Sequence, residues 1–347
     1  MLIGLVKTAI GEGGIELREV PKPRVRPGHV LIEPEAVGVC GSDLARYTGK
    51  LLDYEPPVIL GHEFCGTIAE VGENVTRFTT GDRVVCETHG TFCGTCYFCM
   101  TGQHALCSAR KGFGYGVDGA FTEYVLARPE IVHLMPSRLS FDECAATEPL
   151  CVAIHAVTDR VRLKPGDTIA IFGMGPVGLL ALQVAKLYAP SKIIAIDLTE
   201  NIRLKMAADL GANHTVACDK EEVTSKIFDY AGHEGVDASI DAAGSTAALR
   251  AALKVTRKSG QILVIGQHPK LEEIAVGEIV MRQLSMSGSW SHTWANWETA
   301  LKLLEEGKVS TKPLITHTYP LTDWKKAFET LLNLEAVKAV LKVHRHS

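Results

Sequence analysis

No run of apolar residues in this chain approaches the roughly 20 that a membrane span requires. The stretch Met1-Leu2-Ile3-Gly4-Leu5-Val6 is cut by Lys7 and soon by Glu12, too early for a signal-peptide core, and reads as a first strand. Basic clusters are missing as well. The 36 Lys and Arg against 40 Asp and Glu leave a formal charge of −4 spread along 347 residues, which offers nothing to nucleic acid or to an anionic membrane surface. No internal repeat or low-complexity tract is visible. These absences leave small-molecule chemistry in the cytoplasm as the expectation, on a chain long enough for two domains. Ten cysteines without an export signal are then thiols and metal ligands rather than a disulfide framework.

Short apolar runs at 30–34, 64–72, 83–86 and 121–125, punctuated by Gly, Pro and Asn, predict a mostly β first domain. After Pro149 strands and helices alternate. A helix at 153–161 and a strand at 168–172 come first, followed by a helix with Val177, Leu180, Ala181, Val184, Ala185 and Tyr188 on one face. A strand at 192–196, a helix at 202–210 stopped by Gly211, a strand at 236–240, a helix at 246–258 and a strand at 261–265 complete the series. This order predicts a doubly wound parallel sheet. Beyond about Gly288, a helix at 297–307, a strand at 314–319, a helix at 322–333 and a final strand at 337–344 do not extend it and are expected to return to the first domain. The fold class is α/β, with expected segments 1–150, 151–287 and 288–347.

Three patterns carry chemistry. Cys93, Cys96, Cys99 and Cys107 share a short loop with Gly94 and Gly102, a spacing that suits a closed, structural tetrahedral zinc. An iron–sulfur cluster is the alternative, because thiolate spacing alone does not choose the metal. Gly173-Met174-Gly175-Pro176-Val177-Gly178 lies between a strand and a helix, with Asp197 closing the next strand, as in a dinucleotide-binding unit. Asp197 would accept from ribose hydroxyls and repel a 2′-phosphate, favouring NAD; Arg203 fits either a 2′-phosphate or the adenine face. The third pattern is Gly61-His62-Glu63 with Cys40 upstream and Glu148 downstream. Thiolate, imidazole and carboxylate together suit zinc, and three protein ligands leave a position for a substrate oxygen. Taken singly, Cys40 reads as a small buried residue and His62 as a core histidine; their weight comes from the other two patterns.

With all three on one chain, the sequence resembles the zinc-containing medium-chain dehydrogenases over essentially its whole length. Gly61-His62-Glu63 with Glu148-Pro149 is closer to the sorbitol, galactitol and threonine dehydrogenase branch than to the ethanol-oxidising branch. The resemblance implies a GroES-like catalytic domain interrupted by a Rossmann domain, with the active site in the cleft between them. It implies that Cys40, His62 and either Glu63 or Glu148 bind catalytic zinc, that Asp43 orients His62, and that Ser42 is the first hydroxyl of a proton relay. Cofactor contacts would fall on Gly173, Gly175, Pro176, Val177, Gly178, Asp197, Arg203, Ile265, Gly266, Gln267, Ser289 and Trp290. Two zinc ions per chain, NAD, and a homodimer or homotetramer are expected.

Two positions depart from the pattern: Ala45 stands where many members have a relay histidine, and Ser291 where sorbitol dehydrogenases tend to have an arginine. The leading expectation is NAD-dependent oxidation of a secondary alcohol on a polyol, sugar or cyclitol, with Tyr47, Tyr115, Trp290, His292 and Trp294 as candidate pocket residues. Threonine dehydrogenase is the alternative within the class; the chain resembles it around Glu87-Thr88-His89, and Arg46 and Arg110 are candidate partners for its carboxylate. A non-catalytic redox sensor that binds dinucleotide is the alternative outside it.

Overall fold

Pro34 shows how the first sheet is built. It sits inside the strand Val30–Gly38, which pairs antiparallel with Glu63–Val71, and the ladder slips between Pro34 and Ala36 because proline has no N–H to give. The structure is a computed structural model that describes residues 2–268, 271 and 273–343. It clusters into one unit of Met1–Glu148 with Thr293–Ser347 and a second of Pro149–His292.

In the first unit the strands in chain order are β1 (Leu2–Lys7), β2 (Ile15–Val20), β3 (Val30–Gly38), β4 (Val58–Ile59), β5 (Glu63–Val71), β6 (Arg83–Cys86), β7 (Val125–Ala127) and β8 (Val132–Leu134). β1 pairs with β2 and β4, while β3, β5, β6 and β8 run side by side in a larger sheet, with β7 also on β3. Between them Val30, Ile32, Phe64, Ile68, Val84 and Phe121 form the core. Of the strand expected at 121–125 only its end is a strand. Phe121 instead donates to Leu60 O at 2.9 Å and accepts from Leu5 N at 2.9 Å, tying β1 to the segment just after β4 in the small sheet.

The second unit contains β9 (Thr168–Phe172), β10 (Lys192–Asp197), β11 (His214–Ala217), β12 (Val236–Asp241), β13 (Thr256–Val264) and β14 (Ser285–Gly288). They pair in parallel in the order β11-β10-β9-β12-β13-β14. Ile169, Ala170 and Ile171 of β9, and Ile193 to Ile196 of β10, are almost wholly buried, as continuous apolar strands covered by helices on both faces should be. The order runs outward from β9 in one direction and then from β12 in the other. The switch point at their carboxyl ends is where such sheets bind ligands.

Several expectations change in this unit. The helix expected at 153–161 begins earlier, at Thr147, and runs to Ile154 before a wider turn at His155–Asp159. Pro149 does not break it, because a proline in the first turn forfeits no helical hydrogen bond. The helix expected at 246–258 stops at Val255; Thr256 pairs with Val236 at the start of β13, and its hydroxyl donates to Ala252 O at 2.6 Å. β11, β14 and the helices Val223–Ala231 and Val276–Met281 were not expected. β14 reads Ser-Met-Ser-Gly and is partly exposed throughout, so it has no apolar pattern to betray it.

The chain then returns to the first unit with the helix Trp294–Glu305, β15 (Ile315–Pro320), the helix Trp324–Leu332 and β16 (Lys338–Lys342). β15 and β16 are parallel, and β16 lies antiparallel to β3 through Val340↔Gly38 and Leu341↔Val37. His344, in the strand expected at 337–344, lies outside the described residues.

Candidate metal centres and dinucleotide loop

Gly61 turns the chain at φ +91°, where a side chain would strike Phe121 at 2.9 Å, and so delivers His62 and Glu63 to the start of β5. Cys40 precedes the helix Gly41–Tyr47. One ligand atom from each of Cys40, His62 and Glu63 lies within 4.8 Å of the others. Asp43 is wholly buried; it accepts from Cys40 N at 3.0 Å and places Oδ1 3.5 Å from His62 Nδ1. That contact turns Nε2 of His62 toward the ligand set, the second-shell arrangement usual for metal-binding histidines. Burial alone would lower the His62 pKa, but Asp43 and Cys40 outweigh it and hold the value well above the ordinary one.

The carboxylates have unequal partners. Lys338, buried in β16, donates to Glu63 Oε2 and, at 3.0 Å, to Val39 O. Glu148 is pushed up to about 7, first by burial and then by the nearby Glu63 charge, against His62, Lys338 and Arg110. A buried carboxylate, a thiol and an imidazole gathered in this way form a donor set that fits a divalent zinc ion, with Glu148 near enough to feel the Glu63 and His62 charges but outside the close group.

Ser42 Oγ lies 3.4 Å from His62 Nε2 and accepts from Arg46 Nη1 at 3.2 Å. Arg46 is buried and grips Asp53 with two bonds, of 2.9 and 2.8 Å, with Asp43 3.7 Å away. Sequence reasoning assigned no relay partner to this position, yet Arg46 stands beside Ala45 and engages the serine. A guanidinium that never deprotonates can orient Ser42 but cannot carry its proton onward.

The cysteine loop is the simpler centre. Cys93 and Cys99 sulfurs are 3.8 Å apart, Cys96 and Cys99 3.5 Å, and Cys107 and Cys93 3.6 Å. Four sulfurs on a tetrahedral zinc at 2.3 Å would be separated by about 3.8 Å, so the loop already has the shape of the closed site. Backbone amides of Thr95 and Cys96 draw the Cys93 thiol down to about 6, while burial pushes Cys99 up to about 12. Four such thiols ionise together only around a cation.

In the second unit the glycines separate by role. Gly173 has φ +90° and a side chain there would meet Ala243 backbone at 2.8 Å; one on Gly178 would meet Gly173 O at 1.9 Å. A side chain on Gly175 would meet nothing within 4 Å, leaving open the approach to the helix Pro176–Lys186, whose N-terminus carries no side-chain cap. Exposed amides at such an end suit pyrophosphate. Asp197, at the end of β10, accepts from Leu198 N at 2.9 Å, while Oδ2 is buried without a hydrogen-bond partner among the described residues. Ile265 and Gly266 both donate to Asp241 O, and a side chain on Gly266 would strike Gly244 N at 2.1 Å, so 265–267 lies against the loop after β12. Ser289 Oγ is also buried and makes no hydrogen bond among the described residues. Trp290 and Trp294 are substantially exposed and His292 is buried. Tyr47 packs edge-on against Trp324 and Phe328, whereas the Tyr115 ring lies beneath Arg46 and Arg110.

One cluster was missed by sequence reading. Buried His133 places Nε2 3.0 Å from Glu87 Oε1 and Nδ1 2.6 Å from Glu298 Oε1. His89 Nε2 and His104 Nδ1 lie 3.6 and 3.9 Å from the other Glu87 oxygen. The motif Glu87-Thr88-His89 was the only signal in the sequence, and it did not reveal His133 or Glu298.

Comparison with known proteins gives the family. Residues 26–137 match the alcohol dehydrogenase GroES-like domain and 176–306 the zinc-binding dehydrogenase family. The chain is 37% identical to a sorbitol dehydrogenase of Halalkalibacterium halodurans over 97% of its length and 98% of that protein's. It is 36% identical to a D-arabitol-phosphate dehydrogenase of Enterococcus avium, over 98% and 97% of the two chains. Galactitol-1-phosphate dehydrogenase from Escherichia coli superposes with a TM-score of 0.88 at 27% identity, covering 98% of this chain and 99% of that one.

Proposed function

The chain belongs to the zinc-containing medium-chain dehydrogenases, and from that premise we propose that it oxidises a secondary hydroxyl of a polyol to the ketone with NAD. The observation that carries the reading is the Cys40, His62 and Glu63 set, with His62 and Glu63 buried and Ser42 beside it. Relatives named for sorbitol and arabitol-phosphate support a polyol over a simple alcohol.

Cys40, His62 and a carboxylate from Glu63 or Glu148 would hold a catalytic zinc, and Cys93, Cys96, Cys99 and Cys107 a structural one. Bound zinc supplies Lewis acidity toward the substrate hydroxyl, and bound NAD the acceptor for hydride. The chain's own part is to orient and to move a proton. Asp43 fixes the His62 ring, Lys338 restrains one Glu63 oxygen, and Arg46 holds Ser42 with its hydroxyl hydrogen directed away from the guanidinium. Ser42 is the group placed to exchange a proton with the substrate hydroxyl. In the second unit, the amides of Gly175 and Val177 at the start of the helix Pro176–Lys186 would cradle pyrophosphate, with Asp197 Oδ2 accepting from ribose. A 2′-phosphate there would face a carboxylate, which favours NAD.

Zinc-loaded protein should reduce NAD with sorbitol, galactitol or arabitol, followed as NADH absorbance, and should do so more slowly with NADP. Threonine turning over faster than every polyol would replace the polyol reading with that of an amino-alcohol dehydrogenase. No NADH with any alcohol would remove the enzymatic reading altogether.

A further inference from the structure

Two arginines flank the Tyr115 ring, Arg46 with its guanidinium carbon 4.7 Å and Arg110 5.6 Å from the ring centre. Their charges are treated differently. Arg46 is neutralised by Asp53 and Asp43. Arg110, among the described residues, has no carboxylate within ion-pair distance. It is nevertheless held firmly: Nε donates to His89 Nδ1 at 2.7 Å, Nη2 to Thr88 Oγ1 at 3.3 Å, and its backbone N–H to Cys107 O at 3.0 Å. Restraining so flexible a side chain carries an entropy cost that a merely solvated arginine does not bear.

The restraint is itself supported. Because His89 Nδ1 accepts from Arg110, Nε2 carries the ring hydrogen and faces Glu87, which His133 anchors from the other side. That tautomer also argues against His89 as a metal ligand through Nε2. The unit thus aims a half-buried guanidinium whose Nη1 makes no bond to the described residues. The loop that follows runs along Gly61, the residue before His62: Gly119 N donates to Ile59 O and Ala120 N to Gly61 O, and Gly114 approaches Gly61 so closely that a side chain there would meet its nitrogen at 3.0 Å, while the shared Tyr115 ring links Arg110 to Arg46, which holds Ser42.

We propose that Arg110 is a specificity-determining residue that binds an oxyanion carried by the substrate alcohol, so that the preferred substrate is a polyol phosphate or a polyhydroxy acid rather than a neutral polyol. The inference rests on the dehydrogenase reading above. His89 and Glu87 are positioning residues that act through Arg110. Hydrogen bonds to a charged partner of this kind correspond to about a 10- to 100-fold preference.

The test compares kcat/KM for a neutral polyol, its terminal phosphate and the matching aldonate, in zinc-loaded wild type, Arg110→Gln and Arg110→Lys. Wild type should favour one anionic member by about 10-fold or more. Arg110→Gln should collapse that ratio through KM, and Arg110→Lys should restore part of it. Whichever of phosphate and aldonate leads identifies the anion. A wild-type ratio near one, or a ratio unchanged in Arg110→Gln, overturns the proposal while leaving the dehydrogenase reading intact. If none of the three alcohols is oxidised, that reading fails, and calorimetric titration with inorganic phosphate still decides: binding weakened in Arg110→Gln supports the subsite, while equal or absent binding in both proteins overturns it. Should Arg110→Gln fail to fold, wild type alone answers. KM for the anionic alcohol should rise with ionic strength while that for the neutral one does not, and a parallel response overturns the proposal.

Discussion

The two candidate metal centres are built on opposite plans. The cysteine loop draws four like ligands from 15 consecutive residues, keeps Cys93 exposed, and fixes its sulfurs with local amides such as Cys96 N to Cys93 Sγ at 3.3 Å. The mixed centre draws unlike ligands from distant segments, buries His62 and Glu63, and depends on Lys338, 275 residues from Glu63. A site meant only to hold a lobe needs nothing beyond its own loop. A site meant to do chemistry needs charges brought from elsewhere to set the state of each ligand.

That contrast is broken or sharpened by four substitutions. His62→Ala should reduce turnover by on the order of 10³-fold or more, since metal activation is worth several kcal/mol, and should remove one zinc equivalent by metal analysis while the cysteine loop keeps its own. Turnover within tenfold of wild type would place the chemistry elsewhere. Lys338→Met leaves Glu63 buried without its cation and should cost about 3–5 kcal/mol in urea unfolding; adding Glu63→Gln should recover much of the loss. A cost below about 1 kcal/mol would show that the pair matters no more than a surface ion pair. Ser42→Ala should retain zinc and NAD yet lose on the order of 10²-fold in turnover, and an undiminished rate would mean that the proton leaves by another route. Smallest on the chemistry should be Cys96→Ser. It lowers folding yield and removes the other zinc equivalent, but reduces turnover per folded molecule less than any of the preceding three. Full zinc content with normal stability would deny the loop its structural role.

The same contrast explains what could be read in advance. The cysteine loop and the glycine turn are local, so spacing along the chain conveys them: Gly173, Gly175 and Gly178 each have the steric setting expected of their place. Gly61-His62-Glu63 was legible because its neighbours in sequence are also neighbours at the site. Lys338 was not, because nothing in Val337-Lys338-Ala339 distinguishes a lysine that is buried under β3 from one at a strand surface. The His133 pairings were hidden for the same reason, while Arg46 was read only as a candidate carboxylate partner and its hold on Ser42 was not. Among the strands, β9, β10 and β12 were visible as buried apolar runs. β11 and β14, at the sheet edges, bury too little to leave a pattern. The end of the helix at Val255 was misplaced because a parallel partner for Thr256, not helix propensity, decides where the chain becomes a strand.

The antiparallel pairing of β16 with β3 also sets an order in time. Glu63 leaves the ribosome 275 residues ahead of Lys338, which at ordinary synthesis rates is roughly 14 to 55 seconds. Within that interval the second unit is made in full and the cysteine loop acquires all four of its thiols, while the Glu63 carboxylate still lacks the ammonium that its burial requires. The first unit therefore begins earliest and is finished last. Its mixed ligand set reaches its final form only when the closing strand of the newborn chain has been threaded home.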